Sequence, residues 1–143
     1  MLQRIVPTLP LIKIRGSATV AEAAQMISDL SIGALGVMDE DGIFVGIFTE
    51  RDLAWVVARG IDCTESTIAE NLNDFPVIVD APLTVDRAIE EMVAAHVRHL
   101  LVRAGKDIRI VSARDLLRET LGDRGGNGHA ASASEMRHLF GTP

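Results

Sequence analysis

Two stretches of the chain pair a hydroxyl residue with an aspartate three places later. GIFTERDL (46–53) and RIVSARDL (109–116) both lead from hydrophobic residues into such a pair, Thr49 with Asp52 and Ser112 with Asp115. At a helix start, backbone N–H groups and a hydroxyl can donate to an anion. An aspartate one turn into the helix can accept from the vicinal hydroxyls of a ribose. This repeated phrase, here called the signature, predicts either two nucleotide-type binding sites or two helix caps.

The capping alternative needs only local hydrogen bonds. A Ser or Thr before a helix accepts from a backbone N–H two or three residues on, and an acidic third helical residue reaches back. Both copies use Asp, whereas Glu or Gln reaches back better, and this favours a ligand. Basic residues near the two signatures also favour a ligand. Arg51 or Arg114 taken singly fits a solvated surface. The basic residues are Arg51, Arg98, His99 and Arg114.

The signature belongs to a longer internal repeat. SATVAEAAQMI (17–27) aligns with PLTVDRAIEEM (82–92) at an offset of 65, and 32–53 aligns with 97–116 at an offset that falls to 63. The two missing residues fall where MDEDG predicts a hairpin turn and RAGKD a shorter one. A duplicated fold tolerates loss in a turn best, so the chain is predicted to contain one unit twice.

Each copy is predicted to be a β-α-β-β-α unit. Apolar residues at helical spacing follow a short strand, and two apolar strands and a closing helix complete the unit. The predicted strands are 11–14, 34–38 and 44–48 in the first copy and 77–79, 99–102 and 108–111 in the second; the helices open at Thr19, Thr49, Thr84 and Ser112. Between the copies, residues 67–70 predict a cap for a one-turn helix that ends near Leu72.

These boundaries give a first repeat (5–60), a connector (61–73), a second repeat (74–121) and a Gly-, Ala- and Ser-rich segment (122–143). The last is predicted to be a flexible tail, in which SEMRHLF (134–140) could form a short amphipathic turn. A repeat of about 55 residues cannot bury both faces of its sheet alone. We therefore expect a mixed α+β (α/β) fold whose tandem repeats pack with pseudo-twofold symmetry.

Composition excludes several classes of protein. Hydrophobic residues make up 48% of the 143 residues, which predicts a packed core. A net charge of −6 and only 3% aromatic residues argue against nucleic acid as a partner. The chain has neither an apolar run long enough for a membrane span nor a signal-peptide pattern at its start, so a cytoplasmic location is the default. Cys63 is the only cysteine, which excludes an internal disulfide and a thiolate metal cluster.

An enzyme is not predicted, and no cofactor is required. Catalysis needs a nucleophile with a base, paired carboxylates or a metal site. Cys63 has no nearby histidine in the sequence, and the acidic run 39–41 fits a solvated turn. Trp55, in the helix that closes the first repeat, is expected to pack in the core or at a dimer face.

With these residues in this order, the chain resembles a pair of CBS domains, the family named after cystathionine β-synthase. The resemblance rests on TVAEAAQMI…IGALGVMDEDGIFVGIFTERDL and TVDRAIEEMV…VRHLLV…RIVSARDLL and covers nearly everything outside the tail. It implies a Bateman module, which often pairs into a disc-shaped dimer. Its clefts commonly bind adenosine compounds: AMP, ADP, ATP, S-adenosylmethionine or NAD. For this chain we favour AMP, ADP or ATP.

The resemblance also implies roles for individual residues. Asp52 and Asp115 would hold ribose, and Thr49 and Ser112 would assist at ribose or phosphate. Adenine would lie between apolar residues that come largely from the opposite repeat: Ile12, Ile32 and Ala34 for the second signature, and Val77 and Val97 for the first. In relatives, an Arg-His pair like that of Arg98 and His99 often approaches phosphate.

The two copies differ at two places. The first signature begins with Gly46, the usual residue of the family, and the second begins with Arg109. Arg109 could obstruct the second cleft or supply a phosphate contact. Residues 33–34 are Gly-Ala, where the second repeat has Arg98 and His99. We therefore expect one cleft to bind more tightly than the other.

Two functions remain open. In the first, the chain is a non-catalytic sensor that binds an adenosine ligand and signals to a separate effector protein. In the second, it is a structural dimerisation or protein-interaction module whose clefts are vestigial and whose signatures only cap helices. A homodimer is expected in either case.

Overall fold

The computed structural model describes residues 4–72 and 76–122, which form two compact units. The N-terminal unit runs from Leu11 to Pro76. Among the described residues, the C-terminal unit combines 4–10 with 77–122. The predicted tail, apart from Gly122, and the predicted turn at 134–140 lie outside the described residues.

The predicted β-α-β-β-α order is confirmed in both copies. In chain order the strands are β1 (Leu9–Pro10), β2 (Lys13–Arg15), β3 (Ala34–Met38), β4 (Phe44–Thr49), β5 (Ile78–Asp80), β6 (His99–Ala104) and β7 (Asp107–Ser112). The helices are α1 (Val20–Leu30), α2 (Glu50–Ala58), α3 (Val85–Ala95) and α4 (Ala113–Gly122), with a 3-10 helix at Ala69–Asn71.

Each unit packs two helices on one mixed sheet. In the N-terminal unit the strand order is β2-β3-β4, with β2 parallel and β4 antiparallel to β3. In the C-terminal unit the order is β1-β7-β6-β5, with β5 parallel to β6. Alternate strand residues face the helices and form the core of each unit. Examples are Leu35 and Phe48 in the N-terminal unit and Leu100 and Val111 in the C-terminal unit.

Equivalent residues begin and end the first helix of each unit. Thr19 and Thr84 are the N-caps, and Thr19 forms a full capping box with Glu22. Ser31 and His96 end these helices in the left-handed conformation, with φ of 52° and 56°. The duplication therefore extends to backbone conformations that only glycine adopts without strain.

Strand boundaries differ from the predicted ones by one or two residues. The first strand begins at Lys13 instead of residue 11, although Leu11 is buried and its side chain lies against Gly36. The first strand of the second repeat is Ile78–Asp80 instead of 77–79. The hairpin strands β6 and β7 extend beyond the predicted ends because pairing continues to Ala104 and Asp107, at the turn itself.

The largest difference concerns residues 4–10; the predicted boundaries place residues 5–10 at the start of the first repeat. The structure packs them in the C-terminal unit, where Val6 joins the core and β1 pairs with β7. An antiparallel bridge joins Ile5 to Thr84 just as one joins Thr67 to Thr19 in the N-terminal unit. Residues 4–10, here called the N-terminal segment, therefore do for the C-terminal unit what the connector does for the N-terminal unit.

Candidate functional site

The first signature lies at the junction of β4 and α2. The backbone N–H of Thr49 donates to Oδ2 of Asp52 at 2.8 Å, and the Thr49 hydroxyl donates to the same oxygen at 3.0 Å. The backbone N–H of Asp52 lies 3.2 Å from Oγ1 of Thr49. These contacts are a capping box, in which two backbone donors at the helix start are satisfied reciprocally.

The second signature repeats this geometry at the junction of β7 and α4. The Ser112 N–H donates to Oδ2 of Asp115 at 2.8 Å, and the Asp115 N–H donates to Oγ of Ser112 at 3.1 Å. The capping interpretation is thus confirmed in both copies. In the sequence, the use of Asp instead of the better-capping Glu or Gln favoured a ligand site. This argument is weaker in the structure, because Asp accepts from the cap residue at a short distance in both copies.

Each cap engages one oxygen of its carboxylate. A carboxylate has two oxygens with about four lone-pair positions, and the contacts above use Oδ2. Asp52 and Asp115 are both half-buried, so part of each side chain faces solvent. A carboxylate can cap a helix with one lone pair and accept from a ligand hydroxyl with another.

The helix starts offer fewer backbone donors than the sequence suggests. The first N–H of α2, on Glu50, donates to the carbonyl of Gly33 at 3.0 Å, and that of α4, on Ala113, donates to the carbonyl of Arg98 at 2.8 Å. The third N–H of each helix donates to the signature hydroxyl. Because two of the first three donors are engaged within the protein, the carboxylates are the stronger recognition groups.

Strand pairing gives the two signatures different neighbours. Ala34 lies opposite Thr49 across β3 and β4, and His99 lies opposite Ser112 across β6 and β7. Directly opposite residues in an antiparallel pair have Cβ atoms about 4.5–5.5 Å apart. A methyl group therefore lies beside the first hydroxyl, and a half-buried imidazole lies beside the second.

The other predicted site residues are distributed between the two units. Ile12, Ile32 and Ala34 belong to the N-terminal unit, where Ile12 is exposed and Ile32 packs against the core. Val77 and Val97 belong to the C-terminal unit and pack against its core, and Arg98 is exposed. That apolar residues of one repeat cover the signature of the other remains a prediction.

Arg109 has a contact that neither sequence alternative includes. Its Nε donates to Oγ1 of Thr8 and its Nη2 to the carbonyl oxygen of Thr8, both at 2.8 Å. Along β7, Arg109 shares a face with the buried Val111, while Ser112 shares the other face with Ile110. Obstruction of the second site and a phosphate contact both remain predictions.

The equivalent position of the first repeat is occupied differently. A Cβ added to Gly46 would lie 3.4 Å from Cδ1 of Leu72, so the connector side chain packs directly over the glycine. Leu72 thus contacts the Gly46 backbone, whereas Arg109 reaches across to the N-terminal segment. No local sequence signal identifies the Arg109 contact, because Thr8 lies 101 residues away in the chain.

The connector caps α1. Ala21 and Val20 donate their backbone N–H groups to the carbonyls of Cys63 and Ser66 at 2.9 and 3.0 Å. Asp62 stabilises the turn, and the hydrogen bond from the Thr64 hydroxyl holds the Asp62 pKa below its ordinary value. Cys63 therefore takes part in a structural turn.

Several classes of site are not found within the described residues. No group of three His, Cys, Asp or Glu residues in 4–72 and 76–122 could hold a metal ion. None of the helices described is both long and apolar enough to cross a bilayer.

The Trp55 side chain does not pack in the core: it is 37% exposed and lies beneath the Arg59 guanidinium, 4.0 Å from the ring centroid. Its predicted place at a dimer face remains a prediction.

Comparison with known proteins identifies the repeated unit. The family model of the CBS domain matches residues 3–59 and 69–122. The uncharacterized protein YlbB of Bacillus subtilis is 36% identical over 114 residues, which cover 76% of this chain and 75% of YlbB. No enzyme family is indicated by these matches.

Solved structures agree in fold. A putative signal-transduction protein with CBS domains from Burkholderia ambifaria is 27% identical, with a TM-score of 0.72 over 85% of this chain and 88% of the other. The CBS domain protein PAE2072 from Pyrobaculum aerophilum, complexed with AMP, is 24% identical, with a TM-score of 0.66 over 79% of this chain and 92% of the other.

Proposed function

The chain belongs to the CBS domain family as a tandem pair, and we propose that it is a non-catalytic regulatory module that binds an adenosine-containing ligand. The ligand would be AMP, ADP or ATP ahead of S-adenosylmethionine or NAD. Binding would be read out by a separate effector protein. The proposal includes a homodimer, a cytoplasmic location and completion of each signature by apolar residues of the other repeat.

The observation that carries this proposal is the half-buried aspartate of each signature. Asp52 and Asp115 occupy equivalent positions one turn into α2 and α4, each is half-buried, and each uses Oδ2 in its cap. Vicinal ribose hydroxyls present two donors at the spacing of a carboxylate, and hydrogen bonds to a charged acceptor are about twice as strong as neutral ones. A ribose-containing ligand is thus the best chemical match.

One structural neighbour has been solved with an adenine nucleotide. The protein from Pyrobaculum aerophilum that contains AMP has the same fold, although at 24% identity the likeness extends to the fold alone. The choice of an adenine nucleotide for this chain therefore rests on the signature and on the family. The homodimer rests on the family and on exposed apolar side chains such as Val57 of α2, which is 61% exposed and which a partner surface would cover.

A second candidate function is favoured by the capping boxes. Both signatures satisfy their own hydrogen bonds without a ligand, so they can persist as purely structural elements. The chain would then be a dimerisation or protein-interaction module. This alternative predicts that no adenosine compound changes the stability of the protein.

A thermal-shift panel separates the two functions. AMP, ADP, ATP, S-adenosylmethionine and NAD are added to the wild type and to the variants Asp52→Ala and Asp115→Ala. A ligand at 100 times its Kd stabilises the folded state by about 2.7 kcal/mol, which is readily measured. The proposal predicts a shift with at least one nucleotide and a smaller shift in at least one variant.

The chain offers a matched control in α1. Glu22 forms a capping box with Thr19 that resembles those of the signatures, but it belongs to no proposed ligand site. Glu22→Ala should lower the melting temperature as the signature variants do and keep the full ligand shift. An equal ligand shift in all variants would refute the ribose role, and no shift with any compound would favour the structural module.

A further inference from the structure

We infer that Arg109 is a positioning residue for the second signature. It acts by holding the N-terminal segment against β7 and α4, the two elements that meet at this signature. The inference deepens the proposed function and rests on it for the ligand-binding part alone. It assigns to residues 4–10 the role of holding β7 by strand pairing, whereas the connector packs Leu72 against Gly46 without pairing to β4 within the described residues.

The N-terminal segment contacts both elements that meet at the second signature. On β7, Leu9 pairs with Ile110 and Pro10 pairs with Arg109. On α4, Oε1 of Glu119 lies 2.7 Å from Nε of Arg4. A shift of the segment is therefore transmitted to both sides of the junction that carries Ser112 and Asp115.

The core of the unit ties the segment to the same junction. Val6 is buried in one cluster with Val111, the residue before Ser112, and with Ala113 and Leu116 of α4. Its backbone N–H also donates to the carbonyl of Leu83 at 2.8 Å. The segment thus contributes to the packing beneath the second signature as well as to the strand beside it.

The N-terminal segment depends on side-chain hydrogen bonds because it has fewer backbone N–H donors than a regular strand of the same length. Two of its seven residues, Pro7 and Pro10, have no backbone N–H, and β1 is only two residues long. The planar guanidinium of Arg109 compensates by donating to the hydroxyl and to the carbonyl of Thr8 at once. A lysine ammonium is a point donor without this fork and cannot reproduce the paired geometry.

The two signature strands differ as a result. β7 is paired on both edges, by β1 and β6, whereas β4 is paired only with β3 within the described residues. Paired strands open less readily than edges, because fewer of their hydrogen bonds face solvent. The second signature is therefore held in place before a ligand arrives, and Arg109 holds the segment that supplies the additional strand.

Three variants test the contact between Arg109 and Thr8 while retaining the signature. Arg109→Gly installs the residue found at the equivalent position of the first repeat, and Arg109→Lys retains the positive charge without the fork. Thr8→Val removes the hydroxyl acceptor and keeps the side-chain shape. The effect should decrease in the order Arg109→Gly, Arg109→Lys, Thr8→Val, because the carbonyl acceptor of Thr8 survives in the last variant.

The first measurement is amide hydrogen exchange of the full chain without ligand. Peptides spanning 107–122 should exchange faster in Arg109→Gly than in the wild type, and peptides spanning 44–58 should not change. Unchanged exchange in 107–122 would overturn the inference. This result does not depend on any ligand, so it decides the structural part even if the proposed function fails.

The second measurement is calorimetric titration with AMP in two backgrounds. Asp52→Ala leaves the second signature intact, and Asp115→Ala leaves the first. If Arg109→Gly reduces the binding-competent fraction to about 10–20%, the affinity in the Asp52→Ala background falls about 5- to 10-fold. The affinity in the Asp115→Ala background should stay the same. Equal losses in both backgrounds, or a loss in neither, would contradict a positioning role specific to the second signature.

Discussion

Truncation of Asp115 should reveal how much the second signature contributes as a helix cap. The carboxylate accepts from the backbone N–H of Ser112 at 2.8 Å and lies at the positive end of α4. Asp115→Ala removes that acceptor and the favourable charge, and the expected loss of unfolding free energy is about 1–2 kcal/mol. Asp115→Asn keeps an acceptor oxygen and loses only the charge, which should cost about 0.3–1 kcal/mol.

Urea unfolding followed by circular dichroism measures both variants. Fluorescence is unsuitable because Trp55, the only tryptophan, lies in the N-terminal unit. A change in midpoint at constant slope reports stability. Equal losses in the Ala and Asn variants would refute the role of the hydrogen bond, because Asn retains the acceptor. No loss in either would refute the cap as a source of stability and leave ligand binding as the reason for the aspartate.

Three further predictions concern the framework that holds the signatures. Gly36→Ala should lower stability by about 1–3 kcal/mol, because the added Cβ would lie 2.7 Å from Cδ2 of the buried Leu11; urea denaturation that shows no loss would contradict this packing. Ser31→Gly should raise stability by about 0.5–1 kcal/mol, because it relieves a φ of 52° at the end of α1; a lower melting temperature would disprove it. The hydrogen bond from Thr64 lowers the pKa of Asp62, so Asp62 contributes stability that is present above its ordinary pKa of 3.8 and is lost as pH falls through the lower folded value. Asp62→Asn should therefore reduce the pH dependence of stability in this acidic range. An unchanged pH dependence in the variant would contradict this contribution.

Repetition made much of this fold predictable from the sequence. The N-cap threonines, the order of elements and the central hairpins all follow from patterns that occur twice, so each copy checks the other. The predicted cap at Thr67 is found only in part: Glu70 donates its backbone N–H to Oγ1 of Thr67 at 3.3 Å, but Ile68 is the N-cap of the 3-10 helix, and that helix has no side-chain cap hydrogen bond. Such features depend on residues within one turn of each other, where sequence spacing sets the geometry.

Features that depend on distant residues were not predictable. Residues 4–10 contain two prolines and align with nothing helical or strand-like, yet they complete the C-terminal unit because Thr84 and Arg109 lie where they can bind them. The hydrogen bonds of Arg109 likewise depend on Thr8, which lies 101 residues away in the chain. Local pattern also suggested that aspartate is a poor reciprocal cap, and the 2.8 Å contacts of Asp52 and Asp115 show that the backbone brings it close enough.

The most direct test of the central claim is a calorimetric titration of AMP, ADP and ATP into the wild type and into the double variant Asp52→Asn/Asp115→Asn. The Asn side chains keep an acceptor for each cap, so the fold is retained while the ribose loses its charged acceptors. Charged hydrogen bonds contribute about 1.5–3 kcal/mol each, so affinity for the preferred nucleotide should fall by at least about tenfold. Unchanged affinity in the double variant, or no binding of any nucleotide to the wild type, would contradict the claim that the signatures clamp a ribose.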